Sequence, residues 1–306
     1  MEYDVIADIH GQGALLERLL TQLGYTEHGG RWTAPSGRQA VFLGDLIDRG
    51  PEQIKVLSIV RSMVDRGHAQ CVLGNHELNA IGWVTPSDDK PGEFLRPHIP
   101  SKQRQHQAFL DQIGEGSTQH HTWVDWFRTL PVALDLGGIR VVHAWWNPEH
   151  IELVSATAGR ALQGDWLQEV YRKGTDAWRA YDELTKGYEL RLPEGAYFLD
   201  KEGHPRHDVR TQWWREDAKT YRDLAVVEDD QRAGIPELPL PDHYAPTPVE
   251  GSPVFVGHYW LKGPLTRRDP KVACLDFSAA GGGPLVGYRW CGEAEIDDAN
   301  FVAVWP

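Results

Sequence analysis

The feature that most constrains this chain is a series of short apolar segments that each end at a cluster of glycine and polar residues. Three of them open the sequence, at Tyr3–Ala7, Arg38–Leu43 and Ala69–Leu73. Between them lie Ala14–Leu23 and Pro51–Val64, where apolar residues recur at helical spacing. This alternation predicts a β-α-β-α-β unit, in which parallel strands carry helices on their faces. Because ligands bind beyond the carboxyl ends of such strands, we expect the polar clusters to meet there.

Polar clusters follow predicted strands along the whole chain, and together they contain carboxylates, imidazoles and a carboxamide. The five clusters are Asp8–Gly11, Gly44–Gly50, Gly74–Glu77, His143 and Gly257-His258. These groups suit a borderline divalent metal ion such as manganese, iron or zinc. The glycines among them allow sharp turns and close approach of one backbone to another. The sequence therefore predicts a metal site at the strand ends.

One long segment, 147–250, separates two of the later strands, which are predicted at Gly138–Val142 and Val254–Val256. Its first part has a helical pattern and its second part is rich in turns. Since it leaves the sheet just after one polar cluster and returns just before another, we interpret it as a cap-like insertion. The chain 1–306 is then a single domain that carries this insertion.

Several residues are given structural rather than chemical interpretations. Gly281–Gly283 lies between predicted strands Val272–Phe277 and Leu285–Trp290 and is expected to form a hairpin turn. It is no phosphate loop, because no Gly-Lys-Ser/Thr follows it. Glu77 is expected to support the start of a helix as an acid in its first turn. Four of the histidines that lie outside the motifs are expected to be solvated: His98, His106, His120 and His121.

Charge and cysteine content restrict the class of protein. The chain carries 31 Lys and Arg against 44 Asp and Glu, a net charge of −13. Proteins that bind nucleic acid non-specifically usually carry an excess of basic residues, so that class is not expected. Three cysteines without a Cys-x-x-Cys pair exclude a disulfide scaffold and a zinc ribbon. No apolar run reaches the length of a membrane helix and no secretory leader is visible, so we expect a cytoplasmic protein without a membrane partner.

In this order, the five clusters resemble the motifs of the calcineurin-like metallophosphoesterases. The resemblance is to the branch that contains serine/threonine phosphoprotein phosphatases and bacterial diadenosine tetraphosphatases, and its motifs fall within 3–146 and 252–290. It implies an α/β fold, a β-sandwich flanked by helices, with two metal ions at the strand ends. It further implies ligands for the first ion, a bridge between the ions, and ligands for the second: Asp8 and His10, then Asp45, then Asn75, His143 and His258.

The same resemblance implies a proton donor and a phosphate contact. Asp48 would orient His76, which would protonate the leaving group. Arg49 would hold phosphate oxygens with its planar guanidinium. Family members usually supply another phosphate-binding arginine from the segment before the last histidine, and Arg210 is the candidate in this chain. The alternative is that Arg210 packs on the tryptophans that follow it.

These inferences lead to the hypothesis of a phosphoesterase with a dinuclear metal centre. Manganese is the leading candidate for both ions, and iron, zinc, nickel and cobalt accept the same ligands. A hydroxide bridging the ions would attack phosphorus in line. The substrate would be a dinucleoside polyphosphate or a small phosphomonoester, and the alternative is a phosphoprotein. A non-catalytic scaffold is less favoured because every expected position is kept, and a nucleic-acid end-processing phosphatase is less favoured because of the net charge of −13.

Overall fold

The computed structural model of the protein describes residues 1–156, 162–199, 203–227, 229–242, 244 and 248–306. In these ranges the strands are, in chain order, β1 Glu2–Ile6, β2 Thr26–His28, β3 Arg31–Thr33, β4 Arg38–Phe42, β5 Ala69–Cys71, β6 Ala133–Asp135, β7 Arg140–Val142, β8 Glu189–Arg191, β9 Phe198–Leu199, β10 Pro205–Arg206, β11 Asp208–Arg210, β12 Val254–Val256, β13 Val272–Cys274, β14 Leu285–Trp290 and β15 Phe301–Val304. The helices are α1 Gly13–Gln22, α2 Gln53–Asp65, α3 Asn75–Val84, α4 Pro100–Ile113, α5 Thr118–Phe127, α6 Pro148–Ala156, α7 Gly164–Tyr171, α8 Asp176–Lys186, α9 Tyr221–Leu224 and α10 Asp229–Arg232.

The first sheet has five strands in the order β15-β14-β1-β4-β5. Strands β1, β4 and β5 pair in parallel, which confirms the predicted β-α-β-α-β unit. Helix α1 packs on this sheet because Leu15, Leu16, Leu19 and Leu20 lie on one buried face. On the other side of β1, strand β14 pairs antiparallel and brings the end of the chain into the same sheet.

The second sheet has four strands in the order β13-β12-β7-β6. Strand β12 pairs in parallel with both β13 and β7. The two sheets share one apolar core, in which the ring of Phe255 on β12 lies 4.9 Å from the ring of Tyr288 on β14. This arrangement agrees with the expected sandwich flanked by helices, and it places the ends of β1, β4, β5, β7 and β12 in one region.

The expected hairpin at Gly281–Gly283 is wrong. Strand β13 belongs to the second sheet and β14 to the first, so the glycines connect two sheets rather than two paired strands. The connection is tight, because a Cβ on Gly283 would lie 1.9 Å from the carbonyl oxygen of Phe277. Glycine is required there by the close approach of the backbone.

The described parts of segment 147–250 fall into two portions. Helices α7 and α8 contribute Leu167, Tyr181 and Leu184 to the main core. The portion with β8 and β11 has a small core of its own, in which Leu190 and Val209 are fully buried. The insertion is therefore joined to the sandwich by its helices. Its role as a cap over the strand ends stays a prediction. Within the described ranges, no helix has both the length and the apolar character needed to span a lipid bilayer.

Candidate metal centre

The backbone at the strand ends is held in an unusual conformation. His10, Asp45, Asp48, Arg49 and His258 have φ angles of 47°, 48°, 70°, 67° and 69°, in the left-handed region. For residues other than glycine, this conformation costs on the order of 1–3 kcal/mol each and is concentrated at functional sites. All five of these residues belong to the polar clusters predicted from the sequence. The strain turns their side chains into the space beyond the strands.

The carboxylate of Asp45 lies at the centre of this space. Its Oδ2 atom lies 3.3 Å from Nε2 of His143, 3.6 Å from Nε2 of His10 and 3.9 Å from Nε2 of His76. Oδ1 of Asn75 lies 3.2 Å from the same His143 nitrogen. Four chain segments that are distant in sequence are thus brought within hydrogen-bond or ion-pair distance of one another.

Two groups of potential metal ligands share Asp45. In one group the ligand atoms of His10, Asp45 and His76 all lie within 4.8 Å of one another, and in the other those of Asp45, His143 and His258 do. A carboxylate can bind two cations at once, which a neutral ligand does poorly. The shared position of Asp45 therefore fits a bridge between two ions. His76 stands in the first group, where the sequence suggested Asp8.

The hydrogen bonds of the imidazoles leave their inner nitrogens free for a metal ion. His10 donates from Nδ1 to the carbonyl oxygen of Ile47 at 2.8 Å, and His143 donates from Nδ1 to that of Leu43 at 2.6 Å. Each Nε2 faces Asp45 and can offer a lone pair to a metal ion when the ring is neutral, as in histidines that bind metal ions. Burial, followed by the nearby His76, lowers the pKa of His10 to about 3, which favours the neutral ligand form.

Several buried polar atoms of the site have no hydrogen-bond partner among the described residues. A bound cation would interact with them directly. They are Oδ1 of Asp8, Nε2 of His10, and both ring nitrogens of His258. An unsatisfied buried polar group costs about 1–3 kcal/mol. Burial opposes the charged form of His143, yet Asp45 and Asp8 raise its pKa to about 10, so the site attracts positive charge. The donor atoms present fit divalent metal ions.

Asp8 connects the end of β1 to the end of β12. Its Oδ2 accepts a hydrogen bond from the backbone N–H of His258 at 2.9 Å. A Cβ on Gly257 would lie 1.9 Å from the other oxygen, so glycine is needed directly before the histidine. Burial and the neighbouring Asp276 raise the pKa of Asp8 well above its ordinary value. Asp276 accepts two backbone hydrogen bonds beside the site, and sequence reasoning had not identified it.

Glu77 has a larger role than the sequence suggested. It does accept a hydrogen bond from the N–H of Gly74 at the start of α3, as a first-turn acid would. It also accepts from the N–H groups of Asp45, Leu46 and Ile47, at 2.9, 2.8 and 3.3 Å. This fully buried carboxylate therefore fixes the loop that carries Asp45. The expectation of a helix-start role alone was incomplete.

The predicted pair of Asp48 and His76 is in contact, and a third residue joins it. Oδ2 of Asp48 lies 2.5 Å from Nδ1 of His76. Oδ1 accepts a hydrogen bond from Nδ1 of His106 on α4, at 2.8 Å. The expectation that His106 is solvated is wrong, since it is buried against Trp83 and Phe109. His106 lies outside the motifs, and only its helical spacing with the apolar residues of α4 could have indicated that it is buried.

The other three histidines that were expected to be solvated differ among themselves. His120 is fully buried on α5, so the expectation that it is solvated is wrong. His98 and His121 are exposed, as expected. His98 still has defined contacts, because its ring stacks between Trp83 and Phe94 at 3.8 and 4.3 Å. His120 is buried because it lies on the apolar face of α5, with Trp123, Val124 and Phe127.

Arg49 lies at the mouth of the site on an aromatic surface. Its guanidinium carbon lies 3.9 Å from the centre of the Trp260 ring. Trp260 is 40% exposed, and its backbone N–H donates to Asp276 at 2.8 Å. A cation over an indole face is an attractive arrangement that still leaves the guanidinium edges free. Sequence reasoning had not singled out Trp260.

Arg210 reaches the region of His258. Burial, and after it the charge of Arg210, lowers the pKa of His258 well below its ordinary value. The Nε atom of Arg210 is buried without a hydrogen-bond partner among the described residues. Its neighbours Trp213 and Trp214 are buried in the main core, where their rings meet edge to face at 5.4 Å. Binding of phosphate by Arg210 stays a prediction.

The tryptophans after His143, at 145 and 146, do not both line the cleft. Trp146 is buried, with the guanidinium of Arg140 5.2 Å from its ring. Trp145 packs on Tyr188, whose ring centre is 5.3 Å away. Trp145 therefore joins the sandwich to the insertion, whereas the side chain of Trp146 belongs to the main core.

Comparisons with known proteins agree with the chemistry of this site. Residues 1–180 match the calcineurin-like phosphoesterase family. The asymmetrical bis(5'-nucleosyl)-tetraphosphatase PrpE of Oceanobacillus iheyensis is 43% identical over 199 residues, covering 59% of this chain and 76% of the relative. The corresponding protein of Geobacillus thermodenitrificans is 46% identical over 195 residues, covering 61% and 75%. A symmetrical bis(5'-nucleosyl)-tetraphosphatase of Ralstonia nicotianae is 24% identical over 292 residues, covering 93% and 87%.

Proposed function

The chain belongs to the calcineurin-like phosphoesterase family, and we propose that it hydrolyses a phosphoanhydride bond of a dinucleoside polyphosphate. It is a metal-dependent phosphoesterase. The choice of substrate is supported by relatives that are named bis(5'-nucleosyl)-tetraphosphatases, among them the proteins of Oceanobacillus iheyensis and Geobacillus thermodenitrificans at 43% and 46% identity. A phosphoprotein substrate remains the alternative to be tested beside it.

The observation that carries this proposal is the position of Asp45 in both groups of ligand atoms. We assign two divalent ions to the site and take manganese as the first to test. Asp45 would bridge them, and the remaining ligands would be Asp8, His10, Asn75, His143 and His258. When bound, such ions lower the pKa of a water molecule and neutralise charge on phosphate oxygens. The chain itself supplies the positions of the ligands, which Glu77 and the carbonyl groups behind the imidazoles hold fixed.

In this proposal His76 holds the proton that the leaving group takes up. Its Nδ1 is engaged by Asp48, so its Nε2 faces the cleft near Asp45. An imidazole beside a carboxylate can stay protonated near neutral pH and donate that proton. The need for it depends on the leaving group, because a leaving phosphate has a second pKa of about 6, far below that of an alcohol. The contribution of His76 is therefore largest for alkyl esters.

Arg49 and Arg210 are assigned to the phosphate oxygens. Arg49 stands over Trp260 at the mouth of the site, and Arg210 approaches His258 from the insertion. A guanidinium can form two parallel hydrogen bonds to a phosphate group, which fixes its orientation. The exposed indole of Trp260 offers a face on which a base can stack. We also place the reaction in the cytoplasm, in keeping with free thiols at Cys71, Cys274 and Cys291.

The test is hydrolysis of diadenosine tetraphosphate by the protein reconstituted with manganese, followed by separation of the nucleotides. Cleavage of a bridge between an outer and an inner phosphorus gives ATP and AMP, and cleavage of the central bridge gives two molecules of ADP. The Asp45→Asn variant serves as the inactive control. Phosphopeptides and small phosphate esters are assayed in parallel. Release of phosphate from phosphopeptides, with diadenosine tetraphosphate left intact, would contradict the proposal and favour the phosphoprotein alternative.

A further inference from the structure

We propose that a cavity between α3, α4 and α8 binds a phosphate group of the substrate that is remote from the bond cleaved. The inference rests on the proposed function, because it requires a substrate with several phosphates. The cavity has a volume of about 150 Å³. A water molecule in the liquid occupies about 30 Å³, so the cavity has room for a phosphate group. Its polar and aromatic lining includes Asn79, Arg96, Lys102, Trp178, Asp182 and Lys186.

The charges around the cavity are mainly positive. Arg96, Lys102 and Lys186 face a single carboxylate, that of Asp182, which already forms an ion pair with Lys186. Among the described residues, no carboxylate lies within ion-pair distance of Arg96 or Lys102. In a chain with a net charge of −13, this is a local excess of positive charge. An anion is the ligand that such a cavity attracts.

Arg96 is the strongest indication of an anion. Its side chain is buried, with 8% of the residue exposed. Its two terminal nitrogens donate to neutral amide oxygens, those of Asn79 and, at 3.0 Å, Gln105, while its Nε has no partner among the described residues. The carboxylate of Asp48 attracts Arg96 only from beyond ion-pair distance, and a buried charge without a close opposite charge is costly. A bound phosphate would supply both the charge and the missing hydrogen-bond acceptor.

Lys102, which also lines the cavity, has the same excess of positive charge around it. Burial, and then the positive charges of Arg96 and Lys186, lower the pKa of its ammonium group. The repulsion among these cations is present in the protein alone. A phosphate placed between them would turn that repulsion into attraction.

The position of the cavity relates it to the metal centre. Asn79 follows His76 by three residues on α3, and Lys102 precedes His106 by four residues on α4. Residues at these spacings lie on one face of a helix, about one turn or 5.4 Å apart. His76 and His106 are joined through Asp48. The cavity therefore begins about one helical turn from the assigned proton donor, within reach of a substrate that carries several phosphates.

The experiment measures inhibition of p-nitrophenyl phosphate hydrolysis by orthophosphate and by inorganic tripolyphosphate, with metal ion in excess. Lys102→Gln is compared with the wild type, with Lys102→Arg, and with Lys90→Gln, which changes an exposed lysine elsewhere. A charge-assisted hydrogen bond contributes enough that Lys102→Gln should raise the inhibition constant of tripolyphosphate about five- to tenfold. The constant for orthophosphate should stay nearly the same, and Lys102→Arg should retain tight inhibition by tripolyphosphate.

The outcomes separate this inference from the proposed function. If Lys102→Gln weakens inhibition by both anions equally, or by neither, the assignment of the cavity is overturned. If it weakens inhibition by orthophosphate alone, the assignment is also overturned, because the cavity would then bind free phosphate rather than part of the substrate. Selective loss of tripolyphosphate inhibition, together with failure to hydrolyse diadenosine tetraphosphate, would retain the cavity and refute the dinucleotide substrate.

Discussion

Oδ1 of Asp48 accepts a hydrogen bond at 2.8 Å from Nδ1 of His106, which lies 58 positions further along the chain. The other oxygen of the same carboxylate contacts His76. Asp48 is therefore fixed from two sides, once from the site and once from helix α4. A carboxylate that is held in this way can fix the ring of His76 in one orientation. Helix α4 is thereby connected to the chemistry of the site without contributing a residue to it.

The first prediction concerns His106 as a positioning residue. His106→Leu removes the donor to Asp48 and should lower kcat for an alkyl phosphate about 10–100-fold, as is common when a residue behind a site is lost. The loss should be smaller for p-nitrophenyl phosphate, whose leaving group needs no proton. His106→Asn places an amide N–H near the position of Nδ1 and should recover much of the activity. Steady-state kinetics on both esters measure the difference.

A purely structural role for His106 gives a different pattern. In that case both esters lose activity equally, and the loss follows the decrease in melting temperature of each variant. An Asn variant no better than the Leu variant, with both folded, would also contradict the positioning role.

The second prediction tests whether His76 donates a proton or binds metal. If it is the general acid, His76→Gln should lower kcat on an alkyl ester about 10²–10⁴-fold while the metal content stays unchanged. The structure makes this test necessary, because Nε2 of His76 lies 3.9 Å from Oδ2 of Asp45, in one of the two groups of potential ligands. Loss of one metal ion per chain in the variant would identify His76 as a ligand instead.

The residues assigned to the metal centre could be recognised because their signal is local in the sequence. Each follows an apolar strand, and the parallel arrangement of the first strands brings Asp8, Asp45 and Asn75 to one edge. His106 and Glu77 could not be predicted in their observed roles, because these depend on where a helix packs. Its helical spacing with Phe109, Leu110 and Ile113 could indicate that His106 faces inward, but not that it reaches Asp48. The connection across Gly281–Gly283 was mistaken for the same reason, since sheet membership is a property of the whole fold.

The third prediction concerns the bridge. Asp45→Asn keeps the size of the side chain and removes its charge, so binding of both ions should weaken, because Asp45 belongs to both groups of ligands. Elemental analysis after gel filtration should fall from about two metal ions per chain to below one. Asp65→Asn, a change at an exposed carboxylate, should leave the metal content intact. Saturation of the wild type at a single ion would refute the dinuclear centre.

The fourth prediction concerns Glu77, whose carboxylate accepts hydrogen bonds from three N–H groups of the Asp45 loop. Glu77→Gln replaces one acceptor oxygen with a donor that faces backbone donors. The free energy of unfolding should fall by about 2–4 kcal/mol, the range for a disrupted buried hydrogen-bond network. Urea unfolding of the metal-free protein measures this without interference from bound ions. Glu93→Gln, at an exposed position, is the matched control and should change stability by less than about 0.5 kcal/mol.

The last prediction concerns Arg210. If it binds the phosphate, Arg210→Lys should lower kcat/KM about tenfold, because an ammonium cannot reproduce the paired hydrogen bonds of a guanidinium. Arg210→Ala should lower it further, by about 10–100-fold, since charge-assisted hydrogen bonds contribute about 1.5–3 kcal/mol. Neither change should release metal, because an arginine is no ligand. Arg191→Ala, on the strand paired with that of Arg210, changes an exposed arginine and should leave kcat/KM unaltered.

The competing interpretation of Arg210 is that it only stabilises the insertion against the sandwich. Its buried Nε has no hydrogen-bond partner among the described residues. Buried donors in a purely structural role are normally paired, so the unpaired Nε favours an arginine that binds an anion. If the role is structural, Arg210→Ala lowers the melting temperature while kcat/KM per folded molecule stays close to the wild-type value. If the role is binding of phosphate, kcat/KM falls and inhibition by orthophosphate weakens in parallel, because both ligands use the same guanidinium. Unaltered kinetics beside a lowered melting temperature would remove Arg210 from the site.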